Sequence, residues 1–517
     1  MERVSPHQVN YDNVLPLAIE SRSNRREFLP VNGQTFSNTN GSTVVRIDIN
    51  ADSMLDATHS YLEYILKNTN ASADSFLAVN PFTPSWIQRL RIESGGVVVE
   101  DINEYSRLYA MLSLNQCPKD YIMNNMSNQG LYNHPISGNL QSGSADDVMD
   151  YSPCADAGVA QHVADSWSWY DTTSTGCLDL VYPPSAQGQI KGVARDKNDG
   201  VYDDSAQSRP SAVGLSSIHT RNRIGQNRTR TCCIPLVSGF LNMDKYIPLI
   251  MMNAGFTLEL TLCDANRIGI TQDETSSGNQ DTTLLDSSWE VSGVKYVAHL
   301  IDLDRSFYDK LRAVMEGSGG VLQLAGQTYR HYVGSMPSNA GPHTITLPAR
   351  VKSVKSIFGT FIESDQMGVK GNFDTSVFQN AALDKYRFEI GSVRYPQTDV
   401  NAATRENEVE LQKAWGKLGD YQHQQAYKYG ATLNIEEART GISLRDSALS
   451  AYFVGYDFEA FQRVALEAGI NTADRSLPIN FIASRTGTTT KATRCDFYVL
   501  TDAIYYINLD GTVSVSV

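Results

Sequence analysis

The chain has 517 residues, more than one hydrophobic core ordinarily serves, so two or three domains are expected. Hydrophobic residues make up 41% and aromatics 9%, enough to build real cores and to exclude global disorder. A formal net charge of −14 argues against a wholesale nucleic-acid binder, which needs a positive footprint, and leaves open only a local basic face.

Residues 1–34 read as an irregular arm. Arg3, Arg22, Arg25 and Arg26 are matched there by Glu2, Asp12, Glu20 and Glu27, unlike a basic nucleic-acid tail. An arm that latches onto a neighbouring subunit, or lies beneath it, fits this balance better. Strands begin at Thr43, where Val45, Ile47 and Ile49 alternate with Arg46 and Asp48, the period of a half-buried strand. His59–Lys67 follows, with Leu62, Tyr64 and Leu66 on one side. Next comes a hairpin, with Ile87, Leu90 and Ile92 in one strand and Val97–Val99 in the return. Ser94-Gly95-Gly96 supplies its turn, because glycine tolerates the positive φ of tight hairpins. The period then changes: Tyr105, Leu108, Tyr109 and Leu112 form one stripe of a helix, with Asn103 or Asp101 as its cap.

From about 117 to 230 the chain is dense in Ser, Asn, Asp and Gly, with few periodic runs. A segment of this length implies a functional surface insertion or a small substructure, and Trp167, Trp169 and Tyr170 suggest a local core. Sheet returns over Ile234–Leu262, where Phe256, Leu258, Leu260 and Leu262 alternate with polar residues, and again over Ser288–Asp304. Arg305–Met315 reads as a second helix with Phe307, Leu311 and Val314 on one face, and Gly317–Gly320 as the joint between two halves. The second half repeats the pattern, with strands around 321–363, Tyr386–Pro396, Phe453–Phe461 and 477–511. A helix is expected over Asn407–Leu418, its mixed face formed by Val409, Gln412, Lys413 and Gly416. Both halves end alike, on Ala298–Asp304 and Tyr505–Gly511, the faint trace of an internal repeat. Strands at intervals of about ten residues, twice over, favour sandwich architecture.

No catalytic constellation emerges. Glu100-Asp101 and Asp302/Asp304 are the available carboxylate pairs for glycosidase chemistry. Neighbouring strand residues point to opposite faces, and acids at strand ends commonly cap or terminate elements, so a structural role is expected. The nine histidines show no ligand spacing, and GxSxG, GxGxxG and P-loop patterns are absent. No cofactor or metal is therefore expected. Seven irregularly spaced cysteines read as free, mostly buried thiols of a reducing interior. The sharpest charge feature is Arg221, Arg223, Arg228 and Arg230, which suits acidic loops of an adjacent subunit better than nucleic acid.

Three stretches carry a family resemblance. Trp86, Ile87, Arg89, Leu90 and Ile92, followed by Glu100 and Asp101, form the first. Tyr246, Pro248, Leu249 and Glu259 lie in the second, Ile234–Leu262, and Tyr386, Phe388, Gly391 and Pro396 in the third, Tyr386–Pro396. Their ordered set resembles double jelly-roll major capsid proteins of the virophage and polinton-like virus group, eukaryotic double-stranded DNA viruses. The resemblance implies an all-β chain with short helices: an arm over 1–34, a first jelly roll over 35–316 and a second over 317–517. In this reading the insertion at 117–230 is a surface tower. It further implies homotrimers forming pseudo-hexagonal capsomers, an icosahedral shell, minor capsid or penton partners, and a virion location without enzymatic activity.

Two other readings compete. A carbohydrate-binding or carbohydrate-cleaving sandwich would use Trp167, Trp169 and Tyr170 to stack on sugars, but lacks a credible acid pair and a secretory signal. A minor capsid or spike protein would usually hold a single jelly roll. No run of about 18 apolar residues suggests a membrane-spanning helix.

Overall fold

The computed structural model describes residues 20–38, 42–72, 75–80, 83–118, 121–126, 129–131, 139–140, 149–150, 223–274, 282–317, 319–370, 374–376, 378–379, 381–402, 404–420, 452–460, 468–474, 477–485 and 491–517. We label the strands of its four principal sheets. The first half contributes β1 (Ser21–Phe28), β2 (Val44–Ile49), β3 (Met54–Asn68), β4 (Ile87–Ser94), β5 (Val97–Asn103), β6 (Thr229–Ile234), β7 (Phe256–Leu262) and β8 (Trp289–Leu303). The second contributes β9 (Val321–Met336), β10 (Gly341–Leu347), β11 (Val354–Glu363), β12 (Leu383–Ile390), β13 (Val393–Asn401), β14 (Phe453–Asp457), β15 (Ile479–Arg485) and β16 (Thr493–Asn508). The α-helices are α1 (Tyr105–Gln116), α2 (Arg305–Gly317) and α3 (Arg405–Ala414).

In the first half the antiparallel orders are β1–β8–β3–β6 and β2–β7–β4–β5. The second half gives β9–β16–β11–β14 and β10–β15–β12–β13. The two halves thus share one eight-strand connectivity, element for element, and each is a jelly roll. Ala298–Asp304 and Tyr505–Gly511 occupy equivalent ends, those of β8 and β16. A further small sheet in the first half joins Arg223–Gly225, Ser75–Val79, Gly269–Glu274 and Thr282–Leu285.

Alternation positions each sheet. In β2, Val45, Ile47 and Ile49 are buried while Arg46 and Asp48 face solvent, and β7 alternates in the same way. Strand β11 is different: its first nine residues are all buried, as expected where both sheet faces are covered. One core cluster fills the first jelly roll and continues into Phe358, Phe378, Leu411, Trp415, Tyr498 and Tyr505 of the second half. The other, built around Phe361, Phe388, Phe481 and Phe497, belongs to the second half alone.

Several expectations need correction. Residues 21–28 are not irregular: they form edge strand β1, because Ser21–Phe28 pairs residue for residue with Leu303–Tyr296 of β8. The segment expected as insertion already re-enters sheet before residue 230, at Arg223–Gly225 and at the start of β6; Trp167, Trp169 and Tyr170 lie outside the described residues. Helix α1 is capped by neither Asn103 nor Asp101. Both are still in β5, and Glu104, in the left-handed region at φ 51°, occupies the cap without a side-chain hydrogen bond. Nor does α1 bury only one stripe, since every residue from Tyr105 to Asn115 is buried. Helix α3 begins earlier than expected, where the Thr404 hydroxyl accepts the Glu406 N–H, and ends at Ala414. It packs through Asn407, Leu411 and Ala414, leaving Val409 exposed.

Candidate functional site

The chemistry-bearing residues of this molecule converge on the contact between the two jelly rolls. The approach begins in β5, where consecutive acids diverge. Asp101 turns outward and takes a two-pronged ion pair from Arg89 on β4, with Nε at 2.7 Å. Glu100 turns inward and is buried. Its carboxylate accepts hydrogen bonds from the Ser238 hydroxyl, from the Gly239 N–H at 2.9 Å and, across the contact, from the Thr328 hydroxyl of β9 at 2.7 Å. Burial pushes this carboxyl above its ordinary range, and the four donors around it, Phe240 N–H included, oppose the shift. The backbones themselves close up here: a Cβ on Gly239 would collide with the Gln327 carbonyl group.

A second, larger cluster lies around the start of α1. Glu104 receives Arg267 at 2.7 Å from its own half and Arg494 at 2.9 Å from β16. Arg267 also donates its Nε to Asp374 at 3.0 Å. Arg107, fully buried on α1, places its Nε 3.3 Å from Asp496, donates to the Asp374 carbonyl, and lies over the Phe378 ring. Asp496 is completed by His331 Nε2 and by Arg494 Nε, each at 3.0 Å. Three guanidinium groups, Arg107, Arg267 and Arg494, therefore face three carboxylates, Glu104, Asp374 and Asp496. Burial alone would raise the Asp496 carboxyl, but the His331 hydrogen bond and the charges of Arg107 and Arg494 outweigh it and hold the group below its usual range. Glu104 is likewise held low, with burial opposed by Arg267 and Arg494. Asp374 goes the other way: burial raises it more than Arg267 lowers it.

A cavity of about 780 Å³ opens beside this contact, between Tyr109 and Ser113 of α1, Met243, and Gln327, Lys355 and Asp502 of the second half. Among the described residues the lining ammonium is Lys355, which lies 2.7 Å from Glu459 and 3.5 Å from Asp502. Such pairing suits packing rather than acid–base chemistry, which needs a group poised to exchange a proton. Among the described residues no three His, Cys, Asp or Glu are placed to hold a metal ion.

The motif residues divide by burial. Trp86, Ile87, Leu90, Ile92, Pro248, Leu249, Tyr386 and Phe388 are buried core. Tyr386 also brings its hydroxyl within 3.0 Å of Asn407 on α3 and 3.2 Å of the Gly455 carbonyl. Glu259 stands on the outer face of β7, in register with Arg46 and Arg91 on the flanking strands. Tyr246 is exposed, Gly391 takes φ 61° at the β12–β13 turn, and Pro396 lies in β13, whose outer face is largely solvent-exposed. Asp302 accepts from Asn24 on β1 at 3.0 Å, and Asp304 accepts the Ser306 N–H at 3.2 Å at the start of α2. Of the arginine cluster, Arg221 lies outside the described residues and Arg223 falls in a short strand. Arg228 is exposed at the turn before β6, and Arg230 is half-buried within it. Cys232, Cys263 and Cys495 are buried and Cys117 and Cys233 half-buried, all as free thiols; Cys154 and Cys177 lie outside the described residues.

The residues of the charged contact went unnoticed in the sequence. Arg107, in an otherwise weakly polar helix, and Asp496, inside the apolar run Cys495–Leu500, were its available signals.

No protein-family description matches the chain, and no curated protein matches it. Among solved structures it is similar to VP54 of PBCV-1, as fitted into a cryo-EM reconstruction of the virophage Sputnik. The TM-score is 0.52 at 10% identity, covering 98% of this chain and 99% of that one. It is also similar to the Faustovirus major capsid protein, with a TM-score of 0.52 at 9% identity over 96% and 92% of the two chains. No helix among the described residues is long and apolar enough to cross a membrane. With strand order repeated in both halves and likeness running the length of the chain, the protein has the double jelly-roll fold that these viral proteins share.

Proposed function

We propose that this chain is a major capsid protein whose mechanism is assembly rather than catalysis. Three copies form a pseudo-hexagonal capsomer, because six jelly rolls of one connectivity fill a ring of near six-fold shape. Capsomers then tile an icosahedral shell around a double-stranded DNA genome, with minor or penton proteins as further partners. The observation that carries this reading is the repeated eight-strand order joined by a buried contact with ion pairs between the halves. Such a contact fixes the two jelly rolls as one block, which a repeating lattice requires of its unit. In this reading residues 1–34, 35–316 and 317–517 are arm, first and second jelly roll, with β1 of the arm added to the first sheet. The insertion between α1 and β6 forms the outward tower, and Arg223, Arg228 and Arg230 meet acidic loops of the adjacent subunit. The many weak contacts of such a lattice sum to a stable shell.

Light scattering on a sizing column tests the proposal. Three chains of 57.1 kDa, about 171 kDa, with hexagonal outlines in negative stain, are expected. A monomer that binds glycans, and loses them in Trp167→Ala/Trp169→Ala, would instead favour the carbohydrate-binding sandwich.

A further inference from the structure

The joint between the two halves is head-to-tail. The first half presents β5, the last strand of its second sheet, together with α1, and the second half presents β9, the first strand of its first sheet. Thr328 of β9 reaches Glu100 of β5 at 2.7 Å, and Gln327 beside it closes on Gly239. Because the halves share one connectivity, each of these places has a counterpart. In the second half β13 and α3 answer β5 and α1, and in the first half β1 answers β9.

Both counterparts lie open among the described residues. Strand β13 is exposed or half-buried at every position but Val400, and β1 is exposed at every position but Phe28. A head-to-tail joint that uses one face of each half leaves the other face of each free, and a second copy can repeat it. The open faces carry complementary groups. Leu29 and Val31, just beyond β1, are 65% and 60% exposed, and Val409 and Leu418, on α3 and just after it, are 40% and 50% exposed. Strand β1 is net basic, showing Arg22, Arg25 and Arg26 against Glu27. Helix α3 is net acidic, with Glu406, Glu408 and Glu410 against Arg405 and Lys413. Apolar residues beside charges of opposite sign suit an interface and fix its register.

We propose that a second copy of this chain seats β1, Leu29 and Val31 of its first half on β13 and α3 of this chain's second half, repeating the joint found within the chain. The inference rests on the capsomer reading, since a closed ring of copies is what uses both open faces of every chain.

The full chain with a photo-crosslinking amino acid in place of Leu29 tests it. Irradiation is expected to give a denaturation-resistant product of two chains of 57.1 kDa, about 114 kDa, with position 29 joined to a peptide from residues 393–420. Links confined to one chain, or two-chain links to other segments, would overturn the inference; a particle that still sizes at three chains would leave the capsomer reading standing. A single-chain particle without two-chain products would overturn both. In parallel, Leu29→Asp and Val409→Asp, both at exposed positions, should each raise the chain concentration needed for half-assembly at least tenfold. Amide exchange over residues 105–115, at the joint within the chain, should stay unchanged and shows that each variant is folded. Assembly undiminished in both variants would overturn the inference.

Discussion

Helices α1 and α3 occupy the same place in the two jelly rolls, each following the fifth strand of its half, yet they are different kinds of helix. Helix α3 shows water a polar face and packs on β14 and β11 through Asn407, Leu411 and Ala414, with Trp415 stacked on Phe358 at 3.7 Å. Helix α1 has no water-facing side from Tyr105 to Asn115. The difference lies in what abuts each position. The second jelly roll closes over α1, and a helix enclosed on all sides must satisfy every polar group within the protein. Arg107 meets that demand with Asp496, Asp374 and Thr360, all from the other half. One topology thus supplies an ordinary amphipathic helix at one position and the core of an interdomain contact at the other.

The sharpest way to break this distinction is Arg107→Ala. It strands Asp496 without one of its cationic partners in a fully buried place, and losing one member of a buried ion pair costs about 3–5 kcal/mol. Urea unfolding should show the loss, together with easier proteolysis between the two halves. Gly239→Ala comes next. Its methyl group would collide with backbone, not with the end of a flexible side chain, at the closest approach of the halves. Overpacking of that kind costs about 1–3 kcal/mol. The control is Gly317→Ala at the end of α2, where no atom lies within 4 Å of the new Cβ and the backbone is helical. Thermal unfolding that ranks the two variants equally would remove the close approach from the account.

His331→Leu probes the same contact through pH. Asp496 is held below its usual range, so its stabilisation is complete above the ordinary carboxylate pKa of about 3.9 and is lost as pH falls through the lower folded value. Removing the His331 hydrogen bond weakens what holds the group low. The acid transition should therefore begin at higher pH in the variant, with about 1.5–3 kcal/mol lost near neutrality, as for hydrogen bonds to charged groups. An unchanged acid midpoint, followed by circular dichroism, would mean that Arg107 and Arg494 alone set the state of Asp496.

How much of this was legible depends on range. Strands such as Val44–Ile49 and Phe256–Leu262 announce themselves because one face is wet and one dry, a pattern local to six or seven residues. The Ser94-Gly95-Gly96 turn is equally local, with φ 56° and 83° at its glycines. The charged contact is not local: Glu104 and Arg494 are separated by 390 positions, and no spacing in the chain links them. Strand β1 escaped notice for another reason. Its first seven residues are exposed, so no apolar alternation marks a strand that pairs along the edge of the sheet. The extent of α1's burial was hidden in turn, because a periodic stripe identifies a helix without saying how many of its sides are covered.

The smallest expected effects concern how the two helices begin, and they separate the same two environments. At α3 the Thr404 hydroxyl accepts the Glu406 N–H, while the Glu406 carboxylate accepts the Asn401 N–H at 3.0 Å. This start is exposed to water, so Thr404→Ala should cost about 1 kcal/mol, the usual value of a side-chain cap. At α1 the strand runs straight into the helix through the left-handed Glu104, whose carbonyl accepts the Arg107 and Leu108 N–H groups and the Tyr498 hydroxyl at 3.0 Å. That start is fixed by the other half of the molecule, and Asn103, the residue whose type suggests a cap, points to solvent. Asn103→Ala should therefore stay within about 0.5 kcal/mol of the parent. If thermal unfolding instead finds the two substitutions equally costly, α1 depends on local capping after all, and the second jelly roll does less to hold it than its burial implies.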